Sequence, residues 1–343
     1  MKLGLQLGYW GSVAPVDGHV KLVQEAEALG FNSVWMAESW GNDVFTPLAW
    51  IGAHTSKIKL GTAIAQLSAR SPTACAMAAM TLDRLSGGRM ILGLGVSGPQ
   101  VVEGWYGQPF EKPLARTREY VDIVRQVLRR EAPVTNPGPH YPLPYRGPGA
   151  VGVGKPLRAN IHPLRSELPI YFAAEGPKNV TQTAAIADGW LPMYYSPYHP
   201  EIYADQLKDA RPGFEIAPVV PVSIDDDLQK ALMPIKMVLA FYVGGMGAQE
   251  HNFHKNLMAR MGYEAEANKI QELFMAGRRE EAVMAVPDQF ADEITLCGPK
   301  ARIKERLQAW RESPVTEMLV GVSGKVQLLR DIAAMAASLV GPA

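Results

Sequence analysis

The stretch 59-KLGTAIAQLSARSPTACAMAAMTLDRLSGGRMILGLG-95 decides the fold. Lys59–Ile64 reads as a strand. Ser71-Pro72 then opens a helix, with Ser as N-cap and Pro at the first helical position, where its missing N–H costs nothing. The helix runs to Leu85, and Gly87-Gly88 stops it. Met90–Gly93 is the next strand. Strand, helix and strand in this order form a parallel pair joined by a crossover helix.

The same alternation extends outward. Towards the N-terminus, Lys2–Gly8 alternates Leu3, Leu5 and Leu7 with small or polar residues, a strand pattern. Asp17 caps a helix to Leu29 whose apolar positions Val20, Val23, Ala26 and Leu29 sit three apart, and Gly30 ends it. Asn32–Met36 is a second strand and Thr46–Ser56 a second amphipathic helix. Past the opening stretch, Leu114–Arg130 is a helix, and the Pro- and Gly-rich residues 132–164 read as an excursion. Pro169–Phe172 is the fifth strand, Pro177–Ala187 its helix, and Trp190-Leu191 a short sixth strand. Ile216–Val222 is the seventh, and Thr316–Gly321 the eighth, with Lys325–Leu339 behind it. A long helical segment, 228–311, separates the last two. Eight units close a (β/α)8 TIM barrel in one domain over 1–343, with insertions after strand four and between strands seven and eight. Such barrels use about 250 residues, and the two insertions account for the remainder of the 343.

Lys+Arg and Asp+Glu both number 34, so the formal charge is zero and nothing steers the chain towards nucleic acid or an anionic membrane. Cys75 and Cys297, far apart and without CxxC spacing, make neither a disulfide framework nor a zinc site. No stretch approaches the roughly 20 apolar residues of a membrane helix, and the first residues carry no apolar signal core. The expectation is a soluble cytoplasmic protein acting on a small molecule, with no bound metal.

In such a barrel the chemistry sits on loops after the strands' C-terminal ends. After strand two comes Met36-Ala37-Glu38-Ser39-Trp40; Glu38 suits proton handling and equally suits a cap or an ion pair. After strand three, Ala63-Ile64-Ala65-Gln66 offers small residues for close approach of a flat ligand, and also suits an ordinary core strand. After strand four, Gly93-Leu94-Gly95-Val96-Ser97-Gly98 matches G-x-G-x-x-G. Its context lacks the second strand with an acidic end that a dinucleotide fold needs, so the match reads as chance. After strand five, Glu175-Gly176-Pro177-Lys178 leads into a helix whose free N–H groups suit a phosphate, a reading slightly ahead of a simple β–α turn. Glu250, His251 and His254 are a weak metal candidate, and a solvated helix face is the commoner reading. Asp83 and Arg84 read as helix-end electrostatics.

Taken together, Glu25-Ala26-Glu27-Ala28-Leu29-Gly30-Phe31-Asn32-Ser33-Val34-Trp35, Leu60-Gly61-Thr62, Ser71-Pro72, Thr81-Leu82-Asp83, Ser86-Gly87-Gly88-Arg89, Gly93-Leu94-Gly95 and Ala187-Asp188-Gly189-Trp190 resemble the luciferase-like barrel oxidoreductases. The resemblance is nearest to the branch using the deazaflavin coenzyme F420, which includes methylenetetrahydromethanopterin reductases. It implies hydride transfer between the deazaflavin and a small organic substrate, and a homodimer. FMN is the alternative cofactor, as in luciferase-like monooxygenases, and a non-catalytic deazaflavin-binding protein is a further alternative. The resemblance places the ring over a bulge at Ala63 and Ile64, joined by a cis peptide, with Gln66 just beyond. Glu38 takes the acidic position after strand two, as proton relay or ring contact, with Ser39 beside it. Ser97 and Gly98 match the strand-four loop, and Glu175, Gly176 and Pro177 the phosphate turn. Where sugar-phosphate dehydrogenases of this branch carry Asp-His, this chain has Glu38-Ser39. A serine hydroxyl does not replace imidazole as a base near neutral pH.

Overall fold

The computed structural model describes residues 1–11, 16–246 and 252–339. Its strands are β1 (Lys2–Gly8), β2 (Ser33–Met36), β3 (Lys59–Thr62), β4 (Ala65–Gln66), β5 (Met90–Gly95), β6 (Ile170–Phe172), β7 (Gly189–Trp190), β8 (Glu215–Ile216), β9 (Val219–Ile224), β10 (Leu296–Gly298) and β11 (Glu317–Gly321). All named pairings are parallel, in the order β10-β9-β11-β1-β2-β3-β5-β6-β7-β8, with β4 beside β5. The expected seventh strand is thus two short ones. Glu215–Ile216 pairs with β7, the chain shifts at Ala217-Pro218, and Val219–Pro221 pairs with β11. Thr316 N–H donates to the Ile216 carbonyl (3.0 Å) and Leu319 N–H to that of Pro218 (2.9 Å), so the run 215–224 joins the two ends of the sheet into a barrel.

The helices follow the capping logic of the sequence. Ser71 Oγ accepts from Ala74 N–H with Pro72 at the first turn of Pro72–Leu85, and Gly87 and Gly88 take positive φ after it. One short helix, Pro99–Gly104, was not expected from the sequence. Residues 131–169 hold only two isolated antiparallel bridges, Val134 with Leu157 and Asn136 with Leu143. Residues 228–293 are largely helical as expected, but 296–298 form β10, which pairs with β9, so the helical expectation for 228–311 misses a strand. The cue, Leu296-Cys297-Gly298, is too short for periodicity to separate from a helix end.

Two apolar clusters divide the core. The larger lies between sheet and helices; the smaller, Trp35, Ile91, Tyr171, Leu191, Ala217 and Leu319, fills the barrel lumen. Because side chains alternate along a strand, these residues share a face with Gly4, Ser33, Gly61, Gly93 and Glu317. A Cβ on Gly61 would lie 2.3 Å from the Trp35 ring, so glycine there makes room for the indole. At the strands' N-terminal end, buried Glu317 accepts from Asn32 Nδ2 (2.9 Å) and Ser33 Oγ, and Ser33 Oγ accepts from Trp35 Nε1 (2.5 Å). That chain fixes the indole from below. Above it the lumen-facing positions at the C-terminal mouth are small residues, Gly8, Ala37, Ala63, Gly95 and Ala173, which form the bowl of the site.

Candidate active site at the barrel mouth

The floor of the bowl is the break between β3 and β4. The Ala63–Ile64 peptide is cis, as the resemblance implies. Thr62 bridges the gap this leaves in the ladder, its Oγ1 donating to the Gly93 carbonyl (2.6 Å) and accepting from Gly93 N–H (2.8 Å). A Cβ on Gly93 would sit 1.8 Å from the Thr62 carbonyl oxygen, so the two strands approach this closely only with glycine present. Ile64 turns its side chain onto Gly95, where a Cβ would meet its Cδ1 at 2.5 Å. Gly93 and Gly95, two glycines of the G-x-G-x-x-G match, therefore serve strand packing and the bulge.

Glu38 sits at the edge of the bowl with its side chain 2% exposed. Both carboxylate oxygens are engaged. Arg70 grips it with two hydrogen bonds (Nη1 to Oε2 3.0 Å, Nη2 to Oε1 2.7 Å), and Gln66 N–H donates to Oε2 (2.9 Å). Gln66 Nε2 reaches back to the carbonyls of Glu38 (3.2 Å) and Ser39 (3.3 Å), and Tyr106 Oη also donates to Ser39 O (3.2 Å). Burial pulls the Arg70 guanidinium down, but the Glu38 hydrogen bonds and charge outweigh it and raise its pKa. Glu38, Ser39, Gln66, Ala63 and Ile64 are thus brought together as one unit, with Arg70, unmarked in the sequence, as its clasp. Arg70 lies four residues beyond Gln66 in an irregular turn, where spacing carries no facing information.

Ser97 takes a left-handed φ of 60°, and Gly98 forms the N-cap of Pro99–Gly104. Gly176 is the N-cap of Pro177–Ile186 with no side chain capping it; the Asn179 and Val180 N–H groups turn back to its carbonyl. The exposed residues Pro177 and Lys178 form the first turn. These loops rim the mouth on the strand-four and strand-five sides.

The segment between β9 and β10 roofs the mouth. From its helix Leu228–Gly245, Tyr242 Oη meets Tyr9 Oη at 2.9 Å on the strand-one side. From its helix Phe253–Met258, the Phe253 ring lies 6.3 Å from Phe110, and His254 Nδ1 lies 3.1 Å from Glu175 Oε1. Arg260 donates to the Glu175 carbonyl (2.7 Å). His254 is therefore not on a solvated face; it packs edge-on against Tyr194 and Tyr242. Glu250 and His251 lie outside the described residues. No group of three or more potential metal ligands occurs among the described residues.

A cavity of about 270 Å³ opens at the opposite, N-terminal end, among Lys59, Arg89, Arg165, Asp188, Arg211 and Glu215. Its arginines are engaged: Arg165 pairs with buried Asp83 (2.5 Å), Arg211 with Asp188 (2.5 Å), and Arg89 donates to the carbonyls of Gly52, Thr55 and Ile58. Asp83 is accordingly a buried partner rather than a helix-end charge. That face of a barrel serves stability, and the mouth is the reactive end.

The family model described as luciferase-like monooxygenase matches residues 4–317, and the chain belongs to this luciferase-like family. It is 53% identical over 344 residues to a Mycobacterium tuberculosis protein provisionally named a coenzyme F420-dependent oxidoreductase, covering 98% of this chain and 99% of that one. It is 26% identical to the 5,10-methylenetetrahydromethanopterin reductase of Archaeoglobus fulgidus over 94% of this chain and 93% of that one. The fold matches the coenzyme F420-dependent tetrahydromethanopterin reductase of Methanopyrus kandleri with a TM-score of 0.78, at 24% identity and 97% coverage of both chains. No helix among the described residues is long and apolar enough to cross a membrane.

Proposed function

We propose that this chain is a coenzyme F420-dependent oxidoreductase that moves a hydride between the deazaflavin and a small organic substrate. The observation that carries the reading is the bowl. Ile64 held against Gly95 would give a flat ring an apolar backing, and the small residues around it would let the ring approach closely. The polar surroundings suit the group as well. Buried Gln6 Oε1 and Asn179 Oδ1 have no hydrogen-bond partner among the described residues, which fits a ligand with a polyhydroxylated side chain. The high identity to the mycobacterial relative supports the deazaflavin over FMN.

When bound, the deazaflavin supplies the hydride. Ala63 and Ile64 would support the ring, and Ser97 and Gly98 would border its tail. Gly176 and Lys178 present N–H groups and charge to a phosphate at the start of Pro177–Ile186. Glu38 and Ser39 would lie beside the ring, and Arg70 pins the Glu38 carboxylate with two hydrogen bonds, so its first role is to position the bulge. The 228–293 segment excludes water from the mouth, which strengthens every polar contact beneath it. The reading extends to a cytoplasmic homodimer, testable by sedimentation.

Calorimetric titration of the purified protein with coenzyme F420 and with FMN tests the assignment. Tighter binding of the deazaflavin is expected. FMN bound more tightly would move the protein to the oxygen-using branch, and binding of neither would remove the reading.

A further inference from the structure

Three polar atoms under the roof stand out because each is buried and none has a hydrogen-bond partner among the described residues: Glu175 Oε2, His254 Nδ1 and Tyr194 Oη. They come from the strand-five loop, the insertion and the strand-six loop. His254 Nδ1 is 3.1 Å from Glu175 Oε1, within ion-pair distance. The His254 and Tyr194 rings meet edge-on with centroids 5.8 Å apart, and Tyr194 is held at φ 50°. Buried polar atoms left without hydrogen bonds are costly, which points to a ligand that completes them.

We propose that Glu175, His254 and Tyr194 form an acid–base site for the oxygen of a carbonyl substrate, or equally for the hydroxyl of the corresponding alcohol. This rests on the deazaflavin reading and narrows it to a substrate class. The donor set selects oxygen. A tyrosine hydroxyl and an imidazolium both donate, and the carboxylate beside them favours the charged imidazole. An iminium carries its own positive charge and needs no proton, and reduction of an alkene needs a proton delivered to carbon. In the reducing direction the carbonyl carbon accepts a hydride from reduced deazaflavin and forms a C–H bond. The C–O π bond breaks, and its electron pair takes the proton of the His254 imidazolium while Tyr194 hydrogen-bonds to the same oxygen. Oxidised deazaflavin and alcohol leave, and the neutral imidazole regains its proton from water.

The groups facing His254 support this. Glu175 lies on one side, the rings of Tyr194 and Tyr242 on two others, Tyr9 behind Tyr242, and Arg260 on the carbonyl of Glu175. Burial pulls the imidazolium down, but the charge and contact of Glu175 outweigh it and raise His254 above 6.5. Burial also lifts Tyr194 well above its ordinary value, so it stays a neutral donor at every working pH.

The test uses the full chain, with Glu175→Gln, His254→Gln and Tyr194→Phe beside it. Calorimetry with coenzyme F420 comes first; absence of binding to the unmodified protein removes the functional reading, and this proposal with it. Histidine NMR on the deazaflavin-free protein is expected to show His254 titrating above 6.5, and lower in Glu175→Gln. With reduced deazaflavin and a panel of aldehydes, ketones and enones, alcohols are the expected products. kcat should fall about 10²–10⁴-fold in His254→Gln with KM changed only a few-fold. The high-pH limb of kcat should follow the His254 titration and vanish in that variant. Tyr194→Phe, nearly isosteric, should lower kcat without moving the limb. Bound deazaflavin with no carbonyl reduced, reduction confined to the C=C bond of enones, or a pH profile unchanged in His254→Gln would each overturn the proposal.

Discussion

Replacing Arg70 by Met isolates the contact that holds the strand-two and strand-three loops together. Methionine keeps much of the aliphatic stem and its packing on Phe45, over whose ring the guanidinium lies at 5.0 Å. It leaves the Glu38 carboxylate, 2% exposed, with the Gln66 N–H as its remaining donor. Removing one partner of a buried pair costs about 3–5 kcal/mol. The Arg70 side chain is 20% exposed, so water entering behind it should bring the loss towards about 3 kcal/mol. Glu38→Gln should cost less, about 1–2 kcal/mol, because the amide keeps the shape and Arg70 still has Asp43 within 3.7 Å. The double variant should then lose clearly less than the sum of the two, by about 1–3 kcal/mol. Urea unfolding of the four proteins at matched slopes measures this cycle. Additivity within about 0.5 kcal/mol, or an Arg70→Met loss below about 1 kcal/mol, would refute the view that this pair organises the bulge.

Glu38→Gln should leave deazaflavin affinity within about tenfold, roughly 1.4 kcal/mol, and steady-state rates should fall by similar factors in Glu38→Gln and Arg70→Met. A drop of about 10²–10⁴-fold confined to Glu38→Gln would instead mark proton transfer at that carboxylate. Gly95→Ala puts a Cβ 2.5 Å from Ile64 Cδ1, which must move into the bowl. We expect about 1–3 kcal/mol of destabilisation and weaker deazaflavin binding by calorimetry, and an unchanged Kd would contradict the ring position. The His254–Glu175 pair should stabilise the roof most at low pH. Its folded-state pKa is raised, so the contribution is complete below 6.5 and is lost as pH rises through the folded value. Thermal midpoints against pH should show this decline in the unmodified protein and lack it in Glu175→Gln.

The alternation of strand and helix was legible because each unit carries its own local signals. Ser71-Pro72 opens a helix and Gly87-Gly88 closes it whatever surrounds them, and the structure keeps both. The bulge at Ala63 and Ile64 was reached through resemblance alone, since no periodicity marks an interrupted strand. What stayed hidden depends on contacts across the fold. The Arg70–Glu38 clasp joins residues 32 apart in sequence, and Glu175 meets His254 from a different element altogether. His254 looked like one member of a solvated pair because its burial comes from Tyr194 and Tyr242, which nothing in its own helix announces. The split of the seventh strand is likewise set by its two neighbours, β7 and β11, and not by its own sequence.

The pairing of β10 with β9 gives the roof an unusual independence. Leu296, Cys297 and Gly298 lie beside Val222, Ser223 and Ile224, so the chain returns to within one strand spacing, about 4.8 Å, of where it left the barrel. The excursion is zipped shut at its base, and the barrel below sees the same two stitched ends whatever lies between. Lengthening a loop closed in this way costs little, about 0.6 kcal/mol for each doubling. Changes of length within residues 225–295 therefore need not disturb the stitched base at β9 and β10. Selection can then change what enters the mouth without reopening the question of what waits at its floor.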